Sequence, residues 1–358
     1  MSDSEAETLL LPTGCPLCEK AEHLRRCSGC RILQYCGQDH QRQHWPEHKS
    51  ACNGVRQARK SVEASKQALI NNPVFKDDDP FVNHIGNFWK IRETRPYMTE
   101  MSKFSQKIRM IRHADAVQAE LDTYMEILRL CPGDNMGVRG SVPGALLRLN
   151  RDQDCYDFIK WYETLDWNSD YVTNFLNIKN ADVFEPVDFV RKNFGLTQRV
   201  CLILLKIKLL IEILKLQNMD GYLDQAKADY QANGDKEAPP PELLNAYLKE
   251  HRNKAITSQA LRARDDLVNG QELSNQIDTL KKQIDELYDI IDEQNKHMWP
   301  AMSNPEEALN RGPAGAFMLG SDEEMRITLN ETILAWLETP GAIQFINFKI
   351  HGRLDELL

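Results

Sequence analysis

From about Val55 onward, apolar residues recur three and four positions apart, and long alternation of Val, Ile and Thr is absent. That period predicts helices over 55–71, 96–111, 114–131, 135–149, 152–164, 186–193, 197–218, 221–232, 241–266, 270–297, 304–309, 321–336 and 340–355. No run beyond residue 54 reads as a strand. Many helices joined by short connections imply a mainly α fold, either an α-solenoid or an irregular bundle.

Two helical stretches invite more specific readings. Leu273, Ile277, Leu280, Ile284, Leu287 and Ile291 alternate at spacings of four and three, as a coiled-coil seam does. The seam is under three heptads long, and Tyr288 and Ile290 widen its apolar face, so a helix packed within the domain is expected. The run from Val200 to Leu216 is the most apolar in the chain, yet Lys206, Lys208, Glu212 and Lys215 interrupt it. Those charges argue for a core helix over a membrane span. Ile127–Asn135 and Leu147–Phe158 resemble parts of a tetratricopeptide repeat, but no second copy follows at a 34-residue period.

The first 54 residues break the helical pattern. Residues 15–52 hold few large apolar groups (Leu17, Leu24, Ile32, Leu33, Tyr35 and Trp45), too few for so short a segment to fold on its own core. What they hold instead is six of the chain's nine cysteines. No secretory signal precedes the cluster, since Leu9–Leu11 is too short an apolar core and follows acids rather than bases. Clustered cysteines without a route to an oxidising compartment read as metal ligands rather than disulfides. The expected location is cytoplasm or nucleus.

The spacing runs Cys15-x2-Cys18-x8-Cys27-x2-Cys30-x5-Cys36-x3-His40-x7-His48-x3-Cys52. Each Cys-x2-Cys knuckle brings two sulfurs to one ion, and each i, i+4 pair points two side chains from one helical face. Eight ligands fill two tetrahedral Zn²⁺ sites with no open coordination position, so both ions are structural. Spacing alone permits either sequential or interleaved use of the four pairs. His44 also falls in the every-fourth-residue series, but steps of four residues rotate by roughly 40° and would aim it between the sites. His23, in the loop between the knuckles, is also not expected to bind metal. Pro46 is expected to start a second short helix.

The organisation expected is a disordered terminus over 1–14, a zinc module over 15–54, and an acidic helical domain over 55–358 with an exposed linker at 233–241. Residues 15–60 hold nine Lys/Arg against four Asp/Glu, +5, on a chain whose net charge is -9. Six thiolates and two Zn²⁺ add about -2 to the module, which removes most of its look of a nucleic-acid binder.

The string Tyr35-Cys36, His40-Gln41, His44-Trp45, His48-Lys49 and Cys52 resembles the MYND finger. His40 stands where that family usually has Cys, and a nitrogen donor is acceptable there. The resemblance implies interleaved ligation: Cys15, Cys18, Cys36 and His40 on one zinc, and Cys27, Cys30, His48 and Cys52 on the other. It further implies recognition of short proline-containing peptides, with Gln41 and Trp45 matching the family's contact positions and Gln34 and Tyr35 on the strand beside them. His297–Pro300 and Glu338–Gly341 resemble fungal MYND-finger proteins with a long helical C-terminal region. A role in transcriptional regulation follows from the same resemblance.

Pro239–Leu243, within Ala-Pro-Pro-Pro-Glu-Leu, resembles the peptides such fingers accept and is a candidate intramolecular ligand. Two alternatives to a peptide-binding adaptor remain. A weak nucleic-acid binder would lean on Arg42, Lys49, Arg56, Arg59 and Lys60. A protein methyltransferase is known beside some MYND fingers, but Asn83-His84-Ile85-Gly86 only echoes its motif. His-Glu-x-x-His, Walker and Gly-x-Ser-x-Gly signatures are absent, so no enzyme activity is expected.

Overall fold

The structure is a computed structural model describing residues 10–164, 176–191, 195–218, 250, 252, 256–268, 273–312 and 314–354. The helix predicted over 221–232, the linker at 233–241 and the Pro239–Leu243 segment lie outside these residues. The chain divides into two compact units, Met1–Leu149 with Thr164–Asn177, and Asn150–Glu163 with Ile178–Leu358. The division falls inside the stretch resembling a tetratricopeptide repeat. Among the described residues the sheet content is a single antiparallel ribbon, β1 (Arg25–Arg26) on β2 (Gln34–Tyr35), with Arg26 opposite Gln34.

In the first unit, α1 (Gln38–Ile70) starts inside the zinc module and runs straight through the predicted domain border at 54. Pro46 lies within it and does not open a second helix. Proline costs a helix one backbone hydrogen bond. Here His40 and His48, on either side of it, are both fixed by the ligand clusters, and that anchoring overrides the local preference. Helix α1 packs on α2 (Arg95–Arg109), α2 on α3 (Ala114–Leu130), and α3 on α4 (Ser141–Arg148). The last begins later than predicted. Asp134 holds the preceding loop by accepting from the Val138 and Arg139 amides at 2.8 and 3.1 Å.

Residues 10–14 correct the expectation of a disordered terminus reaching residue 14. The Ala114 amide donates to the Pro12 carbonyl at 2.9 Å, Arg112 donates to the Leu10 carbonyl at 2.6 Å, and His113 Nε2 donates to the Gly14 carbonyl at 3.0 Å. Residues 10–14 are ordered because the α2–α3 turn supplies partners for their backbone.

In the second unit, α5 (Asp152–Thr164) precedes α6 (Leu196–Gln217), which is buried nearly all round. Helix α6 packs against α7 (Leu273–Gln294) and later against α10 (Asp322–Leu337) and α11 (Ala342–Ile350), with α8 (Met298–Ser303) and α9 (Pro305–Asn310) in between along the chain. All six seam residues of α7 are buried, so this is a packed helix rather than an exposed coiled-coil strand. No helix among the described residues is long and apolar enough to cross a membrane.

The charges inside α6 are satisfied within the unit, as burial demands. Lys208 Nζ donates to Asn150 Oδ1 at 2.9 Å and lies 3.6 Å from the Asp152 carboxylate. Glu212 accepts from the Thr257 and Ser258 amides at 3.1 and 3.0 Å. Lys206 is fully buried, donates to the Val183 carbonyl, and sits 5.0 Å above the Tyr156 ring.

Candidate metal centres

Two short loops and one helix build both centres. After Cys15 the chain turns so that the Glu19 amide donates back to the Cys15 carbonyl at 2.8 Å, and the Arg31 amide closes the second knuckle on the Cys27 carbonyl at 2.9 Å. Glu19 and Arg31 both adopt φ of 56°, the left-handed conformation that ends each knuckle. Helix α1 then presents His40, His48 and Cys52, while Cys36 precedes it.

The ligand atoms converge in two groups, Cys15–Cys18–Cys36–His40 and Cys27–Cys30–His48–Cys52, each with all atoms within 4.8 Å of one another. The arrangement is interleaved, so the geometry decides what spacing left open. In the first group, Cys15 Sγ lies 3.5 Å from His40 Nδ1 and Cys18 Sγ 3.6 Å from Cys36 Sγ. In the second, Cys27 Sγ lies 3.7 Å from Cys52 Sγ and Cys30 Sγ 3.4 Å from His48 Nε2. With Zn–S near 2.3 Å and Zn–N near 2.0–2.1 Å, the edges of a tetrahedron are about 3.8 Å between sulfurs and about 3.5 Å between sulfur and nitrogen. Both groups fit a zinc ion. His40 offers Nδ1 and His48 offers Nε2, so the two imidazoles require opposite tautomers.

Electrostatics point the same way. Burial pushes the Cys52 thiol up to about 12, and the neighbouring Cys30 and Cys27 add to the push. Three thiolates in a closed pocket need a cation between them. Burial, with His44 nearby, pushes His48 down to about 4, leaving the neutral imidazole that metal binding uses. At Cys15 burial acts upward, but backbone groups at Cys36 and Leu17 together with His40 outweigh it and bring the thiol down to about 6. The second group is wholly buried, whereas Cys18 of the first is exposed. A Cβ at Gly29 would lie 2.6 Å from Cys52 Sγ, so the second knuckle has no room for a side chain there.

His44 and His23 stand outside both groups. His44 Nδ1 lies 2.9 Å from the Tyr35 hydroxyl, and its ring stacks on His48 with centroids 5.6 Å apart. This role was hidden in the sequence, because the periodicity placed His44 between the sites without naming its partner. A His44→Phe protein should therefore keep two zinc ions per chain by mass spectrometry of the metal. It should lose about 1–3 kcal/mol, because the hydroxyl of the buried Tyr35 is left without that partner.

The four residues expected to contact peptide separate into two kinds. Trp45 is 37% exposed, and Gln41 is half-buried one helical turn before it. Gln34 is half-buried and donates to Asp115 Oδ1 at 3.3 Å. Tyr35, 1% exposed with its hydroxyl committed to His44, belongs to the interior and offers only backbone to a ligand. Sequence reasoning missed a cleft of about 240 Å³ beside the finger, because four of its eleven lining residues are Met110, Ile111, Arg112 and His113, far away along the chain.

Comparison with known proteins agrees on this segment. A family model described as the MYND finger matches residues 15–52. Egl nine homolog 1 from Homo sapiens is 55% identical over 40 residues, 11% of this chain and 9% of that protein. Rho GTPase-activating protein gacZ from Dictyostelium discoideum is 44% identical over 41 residues, 12% of this chain and 4% of that protein. Histone-lysine N-methyltransferase SMYD3 from Homo sapiens is 34% identical over 55 residues, 15% of this chain and 13% of that protein. The chain thus spans less than a seventh of the length of each of these relatives. No solved structure matches it.

Proposed function

Because residues 15–52 are a MYND finger holding two structural zinc ions, we propose that the protein is a non-catalytic adaptor of the cytoplasm or nucleus whose finger recruits short proline-containing peptides. The observation that carries this reading is the exposed indole of Trp45 on a module whose metal sites have no open position. Zinc with four protein donors performs no chemistry, so the finger acts through the surface it holds rigid. An aromatic face receives a proline ring at little entropic expense, and Gln41 a turn away offers an amide to the peptide backbone. The relatives support a portable module: two of them carry names that describe unrelated activities, a Rho GTPase-activating protein and a histone-lysine N-methyltransferase, and the likeness to this chain covers only 41 and 55 residues. A part in transcriptional regulation is the context we favour.

The test is fluorescence polarisation of labelled Pro-x-Leu peptides with the full chain. Micromolar binding that Trp45→Ala weakens by tenfold or more is expected, the scale of a truncated aromatic anchor. Unchanged affinity in Trp45→Ala, at full zinc content, would remove the indole from the site.

A further inference from the structure

Helix α1 carries a run of cations with no acid inside it. Between Glu47 and Glu63 its charged residues are Lys49, Arg56, Arg59 and Lys60. Lys49, Arg56 and Lys60 are exposed, and their separations of seven and four residues put them on one face. That stripe is about 16 Å long at 1.5 Å of rise per residue. Arg59 lies toward α2, its guanidinium 5.5 Å from the centroid of the Phe104 ring. Burial holds that guanidinium below its usual pKa; Cys30 opposes the shift, and Arg31 and Arg26 add to it. Arginines of β1 and of the second knuckle thus stand within electrostatic reach of α1.

Among the described residues none of Arg26, Arg31, Lys49, Arg56, Arg59 and Lys60 forms an ion pair, whereas Arg42, Lys103 and Arg129 of the same unit do. Arg56 reaches only the Asn53 side-chain oxygen, at 3.1 Å. Three thiolates and one Zn²⁺ give each metal centre about -1, so the six cations leave a surplus of about +4. The thiolates of the second centre are buried, with Cys27, Cys30 and Cys52 at most 2% exposed. The cancellation expected for the module as a whole is therefore incomplete on this face.

We propose that this face binds the phosphate backbone of nucleic acid without reading its sequence. A backbone presents a charge about every 3.4 Å of axis on each strand, so the α1 stripe meets about five phosphates in any register. Four of the six cations are arginines, whose forks hold phosphate oxygens in pairs. Duplex DNA and single-stranded RNA share this chemistry. The proposal does not depend on the proline-peptide reading, because Arg56 lies eleven residues beyond Trp45, about 16 Å along α1.

Fluorescence anisotropy of the zinc-loaded full chain tests it, with a labelled DNA duplex of mixed sequence and a labelled single-stranded RNA. Six neutralised phosphates predict about a thousandfold loss of duplex affinity between roughly 50 and 200 mM salt. The double variant Arg56→Gln/Lys60→Gln should lower the slope of log affinity against log salt by about 2. It should keep two zinc ions and its affinity for proline peptides, while Trp45→Ala should leave the salt slope in place. Binding to one of the two nucleic acids alone would support the proposal and identify the source. No binding to either at low salt, or a slope unchanged in the double variant, would overturn it. Polyglutamate that binds as tightly as nucleic acid of equal charge would give the face to acidic proteins and also overturn it.

Discussion

Stripping zinc, or replacing Cys27 by Ser, should unfold the finger and loosen the first helical unit along with it. Structural zinc supplies roughly 10–16 kcal/mol of apparent folding free energy in small fingers, more than most whole domains have to spare. In this chain the loss would not stay local. The buried cluster of the finger, with Cys27, Cys30, Leu33, Tyr35, Cys52 and Val55, is continuous with Ile108, Ile111 and Ala116 of α2, α3 and the turn between them. Helix α1 carries three of the eight ligands and extends to Ile70 as one rod, so its first turns have no anchor without metal. We expect chelation to remove the ion of the Cys15–His40 group first, since Cys18 there is exposed, and the fully buried group second. Metal content, far-UV ellipticity and hydrogen exchange across 38–70 and 95–130 report the sequence of events. Chelated protein with unchanged exchange in α2 and α3 would show that the shared core does not depend on zinc.

That coupling marks where sequence reading stopped. The ligands were legible because metal chemistry fixes both residue type and spacing, and two knuckles with two i, i+4 pairs admit few other readings. Helices such as Leu273–Gln294 were legible because a buried stripe imposes its period locally, and Leu196–Gln217 because its apolar run is too long for a strand. What the sequence hid was long-range. Pro46 looked like a helix start, since the anchoring that carries α1 through it comes from ligands on other segments. Tyr35 looked available to a peptide, because nothing local shows that His44 takes its hydroxyl. The order of residues 10–14 depends on Arg112, His113 and Ala114, about a hundred positions away.

The second large effect concerns Lys206. Replacing it with Met should stabilise the protein at pH 6, by about 1–3 kcal/mol, and the gain should fade as the pH rises to 9. Burial holds the ammonium down to about 7, against the attraction of Asp182 and Glu185, from its usual 10.5. The sign follows from proton counting. Between about pH 7 and 10.5 the unfolded chain binds a proton at Lys206 that the folded chain releases, so wild-type stability rises with pH by up to about 1.4 kcal/mol per unit. Below 7 both states carry the charge, and the folded protein bears its full desolvation cost. Methionine removes that cost at every pH and gives up the hydrogen bond to Val183, worth about 1 kcal/mol. Glu185 stays paired with Lys160 at 2.6 Å and with the Tyr156 hydroxyl at 2.8 Å, so the substitution does not strand a buried carboxylate. Urea unfolding of both proteins between pH 6 and 9 measures the difference directly, and the other titrating groups cancel in it. A difference independent of pH would mean that Lys206 remains charged in the core, its burial cost met in full by Asp182, Glu185 and the Tyr156 ring.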